Sequence, residues 1–510
     1  MTSRPALYSI LVVNLLRAAA TTLLLLLLTS ATAQVRLTVA IPEDPGSLDP
    51  AAATSTSALL VTNQVYDTLF DISPEGQVEG RLAAEWSYAD ATRLRVRLVP
   101  DVTFSDGAPL DAAAVQASLL RFLALREERP AGALLETVTA VEVQDALTVV
   151  VETSEPFAPL TAHLAHPATA IVPGGRGRDL AVEPVGSGPF ELVEWLPSER
   201  LLLRANSDHR GDPPPIPELE LLVGLSTDAL LEGLGTGAVD LAVGLAPHAF
   251  GSAAALSDGS AELELRTGWS AVHLGMNARH AALAEVEVRQ ALALAIDKGS
   301  LVDALPSGSA LPASAVLPPT VRLAPALSEE AYPYEPEAAR SLLAEAGRQE
   351  LTLTLDLESD PELEVVALEL RRMLADVGVT LELRVHEPDR FQQQLESPEL
   401  QLYLARWSTP TLDPDQTLHR VFHSGNIPQG NASRYRVAAV DALLQEARNS
   451  TSEAVRSADY LDVAEAVLTD LPVITLYYPR FAVARSARLS AAPVGVPWFR
   501  LDLAGADLRD

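Results

Sequence analysis

The sequence predicts an α/β protein organised in two or three lobes. Short alternating or β-rich runs are interleaved with segments of helical apolar spacing, the pattern of a sheet covered by helices. A chain of 510 residues also exceeds what one small core can use. With 48% hydrophobic and 21% charged residues, its composition is globular rather than disordered.

Taken in order, residues 35–40 alternate as a strand and run into the turn-rich stretch 42–50. Residues 57–69 have helical spacing and carry Tyr66, and 93–98 alternate as a strand. Asp111 is placed to cap an amphipathic helix over 112–125, followed by strands at 138–143 and 147–152. In the stretch VGSGPFELVEWLPSERLLLRANSDHRG (185–211), two β-rich runs flank Pro197-Ser198-Glu199 and read as an antiparallel hairpin. A strand at 219–223, a helix at 227–234 and a turn at 237–241 into another strand follow. From about 269 the pattern predicts strands at 271–275, 351–357, 379–385, 400–405 and 473–477. Helices are expected between them at 286–296, 337–346, 363–377, 437–449 and 461–468. The proline-rich stretches 212–217 and 312–319 read as connections, and there is no internal repeat.

The net charge is −31, and the first 33 residues hold two arginines and no acid, so the remainder is more negative still. Phosphate-bearing partners would be repelled, which argues against nucleic acid and anionic membrane. Lys298 is the only lysine, so the balance reflects either a saline habitat or an Arg- and Ala-rich genome. Arg4 and Arg17, the apolar run 23–28 and the ending Ala31-Thr32-Ala33 predict a secretory signal peptide cleaved after Ala33. The apolar run is far shorter than the roughly 20 residues of a membrane span, and a retained membrane anchor is the alternative to cleavage. With no cysteine, disulfides, thiolate chemistry and lipidation of a leading cysteine are excluded.

The wording of the hairpin region is similar to the "GTGPF…W.PGE…L.RN..Y.G" block of the family 5 extracellular solute-binding proteins. Further matches follow in the same order. They include Asp44 to Pro50 (an opening loop), Val65-Tyr66-Asp67-Thr68-Leu69, Leu82 to Trp86, Arg97 to Gly107, Gly235 to Asp240, Val288 to Lys298 and Tyr334 to Gly347. The resemblance implies a type II periplasmic binding protein with two hinged lobes in the large three-domain form. Its divisions here would be a signal peptide (1–33), a discontinuous lobe (34–69, 183–268 and 479–510), an inserted α+β subdomain (70–182) and a second lobe (269–478). It further implies capture of a peptide or similar solute by lobe closure and delivery to the permease of an ABC importer. The protein would be a monomer without cofactor or catalytic residues. The alternatives are a secreted hydrolase of an oligomeric substrate and a binding protein for a metal chelate.

The segment Leu404 to Pro414 resembles the family's "GW…D..DP" cleft motif, whose first acid pairs with a peptide's ammonium group; Pro410 stands there instead. Asp413 matches the later acid and otherwise caps a turn. Arg406 would bind a carboxylate bidentately or lie on the surface. Trp407 offers a face for stacking or cation–π contact, and Tyr66 a hydroxyl. Gly46 and Ser47 would give hydrogen bonds to a ligand or form a plain turn, and Tyr435 lies where the family chain returns past the cleft. His419 and His423 are spaced to share one helix face. With no glutamate between them and no third ligand, they read as a solvated or core-edge pair rather than a metal site. The nickel-chelate binders of the family do use a histidine near this region. Gly233, Gly235 and Ala238 fit G-x-G-x-x-A in form only, because helix precedes and strand follows.

Overall fold

The computed structural model describes residues 35–509 except 54, 74–75, 175–178, 212, 255–259, 325–331, 491–494 and 496–498. The expected leader therefore lies outside the described residues. Ten strands follow one another across the main sheet, and two more pair off this path to give twelve. From one edge they run Val379–His386, Leu351–Glu358, Leu402–Ser408, Ser270–Met276 and the long Val473–Ser486. The row continues with Leu241–Val243, Arg36–Ile41, Glu218–Val223, Arg200–Ala205 and Phe190–Leu196.

Each half contains a parallel trio of strands. Arg36–Ile41 pairs parallel with Glu218–Val223 and with Leu241–Val243. Leu351–Glu358 does the same with Val379–His386 and Leu402–Ser408. In Leu351–Glu358, Leu353, Leu355 and Leu357 line one face, while Thr354 and Asp356 on the other face are buried as well. Helix Pro361–Ala375 covers this half through Val366, Leu370 and Leu374. Helix Thr56–Val65 covers the other through Leu60 and Val61, against Leu37, Val39 and Leu219. Each such leucine removed from water contributes about 1.5–3 kcal/mol.

The two halves are joined where the chain crosses twice. Ala261–Thr267 leads through Gly268 and Trp269 into Ser270–Met276, and Val473–Ser486 returns. Residues 473–477 of that strand pair with Ser270–Met276, and residues 480–486 with Ala261–Thr267. At the crossing, the Gly268 amide donates to the Pro479 carbonyl at 3.0 Å. A separate antiparallel sheet, ordered Ala83–Asp90, Arg93–Leu98, Thr148–Thr153, Val138–Asp145, packs Leu94, Val96 and Val151 against Val115 and Leu119 of helix Ala112–Leu125. Asp111 caps that helix, its carboxylate accepting from the Ala114 amide.

The Gly-Ser-Gly-Pro turn before the hairpin has a steric explanation. A Cβ on Gly186 would sit 2.0 Å from the Val65 carbonyl oxygen, and one on Gly188 2.5 Å from the Val65 carbonyl carbon. The turn thus passes directly over the end of helix Thr56–Val65, and Ser187 donates to buried Asp67 at 2.9 Å. Because the obstacle is backbone, Gly186→Ala is expected to destabilise the fold by about 3 kcal/mol, the upper end for overpacking. Urea unfolding would measure it, and an unchanged midpoint would contradict this account.

Candidate functional site

A cavity of about 570 Å³ lies between the two halves of the molecule. One wall carries Thr56 and Leu59 from the N-terminal helix, with Leu134, Glu136, His163 and His166 from the segment that includes the separate sheet. The facing wall is built by Pro410, the helix Asp415–Phe422 through Asp415, His419 and Arg420, and Arg448. Trp269, at the chain crossing, and Phe499 form an edge-to-face pair between the walls, 5.7 Å apart.

The turn that delivers Pro410 and Asp415 to the cavity is held on both sides. The Thr409 amide donates to the Trp269 carbonyl at 3.0 Å, and the Arg322 amide to the Leu412 carbonyl at 2.9 Å. Leu412 adopts φ +56°, a left-handed conformation that costs a non-glycine residue about 1–2 kcal/mol. Its side chain offsets this by entering the apolar core beneath the separate sheet. Below the turn, Asp413 is fully buried and meets Arg456 at 2.6 Å and Arg322 at 3.2 Å. Burial opposes ionisation of Asp413, but the two guanidinium groups and the Asp415 amide win and hold its pKa at about 2.

Asp415 behaves oppositely. Burial is the larger influence, Arg448 at 3.1 Å compensates in part, nearby Asp413 repels, and the pKa is pushed up to about 6. Arg448 also reaches Glu136 at 3.9 Å and Glu155 at 4.0 Å, and lies 5.1 Å from the centre of the Phe157 ring. Burial lowers the His163 pKa to about 4 and those of His166 and His419 to about 3, so all three are neutral near pH 7. Each proton can be assigned or excluded by its partner. His163 Nδ1 lies 2.7 Å from the Leu134 carbonyl, which only accepts, so Nε2 is bare. His166 Nδ1 accepts from the Ala168 amide, so its proton is on Nε2. His419 Nε2 faces an Arg448 N–H at 3.4 Å and must accept. His419 and His423 stack with centroids 4.5 Å apart, as their spacing implies. Among the described residues no group of three or more His, Asp or Glu side chains is arranged to hold a metal.

None of the seven residues singled out from the sequence is among those lining the cavity. Tyr66 is buried and donates to the Leu48 carbonyl at 3.1 Å, and the Tyr435 hydroxyl donates to Asp470. Arg406 is exposed and paired with Glu362 at 2.9 Å. Asp413 is enclosed by its arginines, while Gly46 and Ser47 serve their own turn, the Gly46 amide donating to Asp44 and Ser47 Oγ accepting from the Asp49 amide. Trp407 is half-buried and packs near Phe391 and Tyr403. The polar atoms of these residues, where they have partners, are committed to the fold. Asp415, Arg420 and Arg448 were not singled out from the sequence; the signals available were the motif position of Pro410 and the His419–His423 spacing, and both Pro410 and His419 line the cavity.

The model of bacterial extracellular solute-binding proteins, family 5 (middle), matches residues 77–429. The chain belongs to that family. Among curated relatives, this family 5 protein is 28% identical over 479 residues to the glutathione-binding protein GsiB of Salmonella paratyphi A, covering 90% of this chain and 92% of that one. Its fold matches HbpA2 of Haemophilus parasuis with a TM-score of 0.86 at 23% identity, over 93% of this chain and 100% of the other. It also matches the ABC transporter-associated periplasmic binding protein DppA of Helicobacter pylori, solved with the peptide STSA. There the TM-score is 0.73 at 23% identity, over 93% of this chain and 98% of the other. The architecture is thus that of the type II periplasmic binding proteins, and the family is one of binding proteins rather than enzymes.

Two outcomes test the roles assigned to Asp413 and Trp407. Asp413 has a folded-state pKa of about 2, below its ordinary 3.8, so its stabilisation is present above 3.8 and lost as pH falls through 2. Asp413→Asn should therefore lower stability at pH 7 by about 3–5 kcal/mol, the range for one lost partner of a buried pair. It should also flatten the acid limb of the melting curve between pH 4 and 2; an acid limb identical to wild type would contradict the assignment. Trp407→Ala should cost about 2 kcal/mol of stability, less than full burial would give, and leave ligand affinity within about twofold. Calorimetric unfolding and titration together would show a cavity role instead if affinity fell with stability intact.

Proposed function

We propose that this protein is a periplasmic receptor that captures a peptide, or a solute of similar size and polarity, between two lobes and delivers it to the membrane permease of an ABC importer. The observation that carries this reading is the cavity of about 570 Å³ walled by helices and loops from both halves of the molecule, whose sheet halves share a strand. That volume lies within the range of about 300–1,000 Å³ usual for small-molecule sites. The lobes proposed are residues 34–69, 183–268 and 479–510, carrying 70–182 as an insertion, and residues 269–478. The crossings at Gly268 and Pro479 suit a hinge, since few residues there need absorb a change of backbone angle.

Arg448 suits a latch between the walls. Its carbonyl accepts from the Ala158 amide at 2.8 Å, while its guanidinium faces Phe157, Glu136 and Glu155. A ligand that touches both walls would favour the closed state by its differential affinity, with no covalent step. Glutathione, named for the relative in Salmonella, and the peptide held by the Helicobacter protein support a peptide-like solute. The basic, then apolar, then Ala-x-Ala start supports export with cleavage after Ala33. With no cysteine there is no thiol for a lipid anchor, the family resemblance favours a monomer, and the acidity disfavours nucleic acid as a partner.

Native mass spectrometry of residues 34–510 from a periplasmic extract, followed by calorimetric titration of glutathione and tripeptides, tests the proposal. One solute per chain, recovered chemically unchanged after incubation, is the expected result. Recovery of hydrolysed product would replace the receptor with a hydrolase.

A further inference from the structure

The charged groups of the cavity are unequally matched. Its carboxylates, Asp415 and Glu136, both meet Arg448, at 3.1 and 3.9 Å. The cavity's other guanidinium, Arg420, has no hydrogen-bonding, ion-pair or ring partner among the described residues. Arg420 is exposed where it lines the cavity, and its stem passes close to buried Gly430: a Cβ there would lie 2.9 Å from Arg420 Cγ and 2.6 Å from the Arg420 carbonyl oxygen. A glycine is thus required for the helix to sit where it carries this side chain to the cavity wall.

Apart from Glu136, the wall opposite offers neutral groups. His163 Nε2 is a bare acceptor, buried and without a protein partner, and His166 has a proton on Nε2. Pro410 contributes neither charge nor N–H to the lining. A cation on the ligand would therefore find no carboxylate that is not already engaged by Arg448, whereas an anion would find a guanidinium with five free donors.

We infer that the solute is an anion, a molecule with a carboxylate docked on Arg420 and otherwise neutral amide or hydroxyl groups along the histidine wall, as in an N-acylated amino acid or peptide. The inference rests on the receptor reading above and narrows its ligand class. A bidentate guanidinium–carboxylate pair is strong because both hydrogen bonds are charge-assisted, and losing one changes affinity by about tenfold or more.

Calorimetric titration of the mature protein, unfolded and refolded to remove co-purified solute, would use three probes: trialanine, N-acetyl-trialanine and N-acetyl-trialanine amide. The acetylated acid should bind at least as tightly as trialanine and about tenfold more tightly than the amide. Arg420→Gln should abolish the difference between acid and amide while leaving the melting temperature of the free protein unchanged. Trialanine binding tenfold more tightly than its acetylated form, or an amide equal to the acid, would overturn the inference and leave the receptor standing. If no probe binds, the solute found by native mass spectrometry decides: an anion supports the inference and a cation or neutral molecule overturns it. Absence of both probe binding and any captured solute would remove the receptor reading itself.

Discussion

Val473–Ser486 hydrogen-bonds at its start to Ser270–Met276 and at its end to Ala261–Thr267 and Leu241–Val243, so one strand is a structural member of both halves of the sheet. Its residues are buried from 473 to 478 and again from 482 to 484, but only half-buried from 479 to 481. The halves can therefore neither separate nor slide without breaking ladder hydrogen bonds, although the strand is less deeply covered at the crossing itself. A wedge-shaped gap beside that crossing follows from the geometry. The cavity occupies it, with Trp269 of the other crossing segment on its wall.

The gap places unusual demands on the polar groups beside it. Asp413 and Asp415 are two residues apart and both buried, yet their pKa values move in opposite directions. The difference is in counter-charge: Asp413 has Arg456 and Arg322 beside it, while Asp415 has Arg448 and the repulsion of Asp413. A fully compensated carboxylate is a structural anchor. One whose charge is only partly matched sits where water, a ligand or a movement of Arg448 can change the balance. The first fixes the turn carrying Leu412 in a left-handed conformation, and the second lines the cavity.

Periodicity made much of the sheet legible. The expected runs at 219–223, 351–357 and 379–385 lie within Glu218–Val223, Leu351–Glu358 and Val379–His386, because each is apolar on at least one complete face. The strand expected at 473–477 proved to run on to Ser486. Its later residues, Arg480 and Arg485 among them, break the apolar pattern because they pair with the edge strand Ala261–Thr267 and with polar neighbours. Strand Ala83–Asp90 escaped for a similar reason, since most of its residues are exposed. Chemistry was less legible than topology. Tyr66, Tyr435 and Asp413 carry groups that suit a ligand as well as they suit a core, and only the three-dimensional partners decide. Arg420 and Arg448 belong to helical segments and carry no motif of their own, so nothing local distinguishes them from surface arginines.

The histidine wall connects this architecture to a pH range. Burial makes imidazolium costly and outweighs what opposes it, the Leu134 carbonyl and Asp413 at His163, so the pKa values of His163, His166 and His419 fall to about 4 or 3. From pH 5 to 8 their donor and acceptor pattern is therefore constant, despite an ordinary value of 6.5 that would place a switch in that interval. Asp415, pushed up to about 6, changes state within that interval. It faces Arg448, whose carbonyl and guanidinium bridge the walls. Proton uptake at Asp415 would release Arg448 from its closest acid and leave Glu136 and Glu155, across the cavity, as its remaining carboxylates.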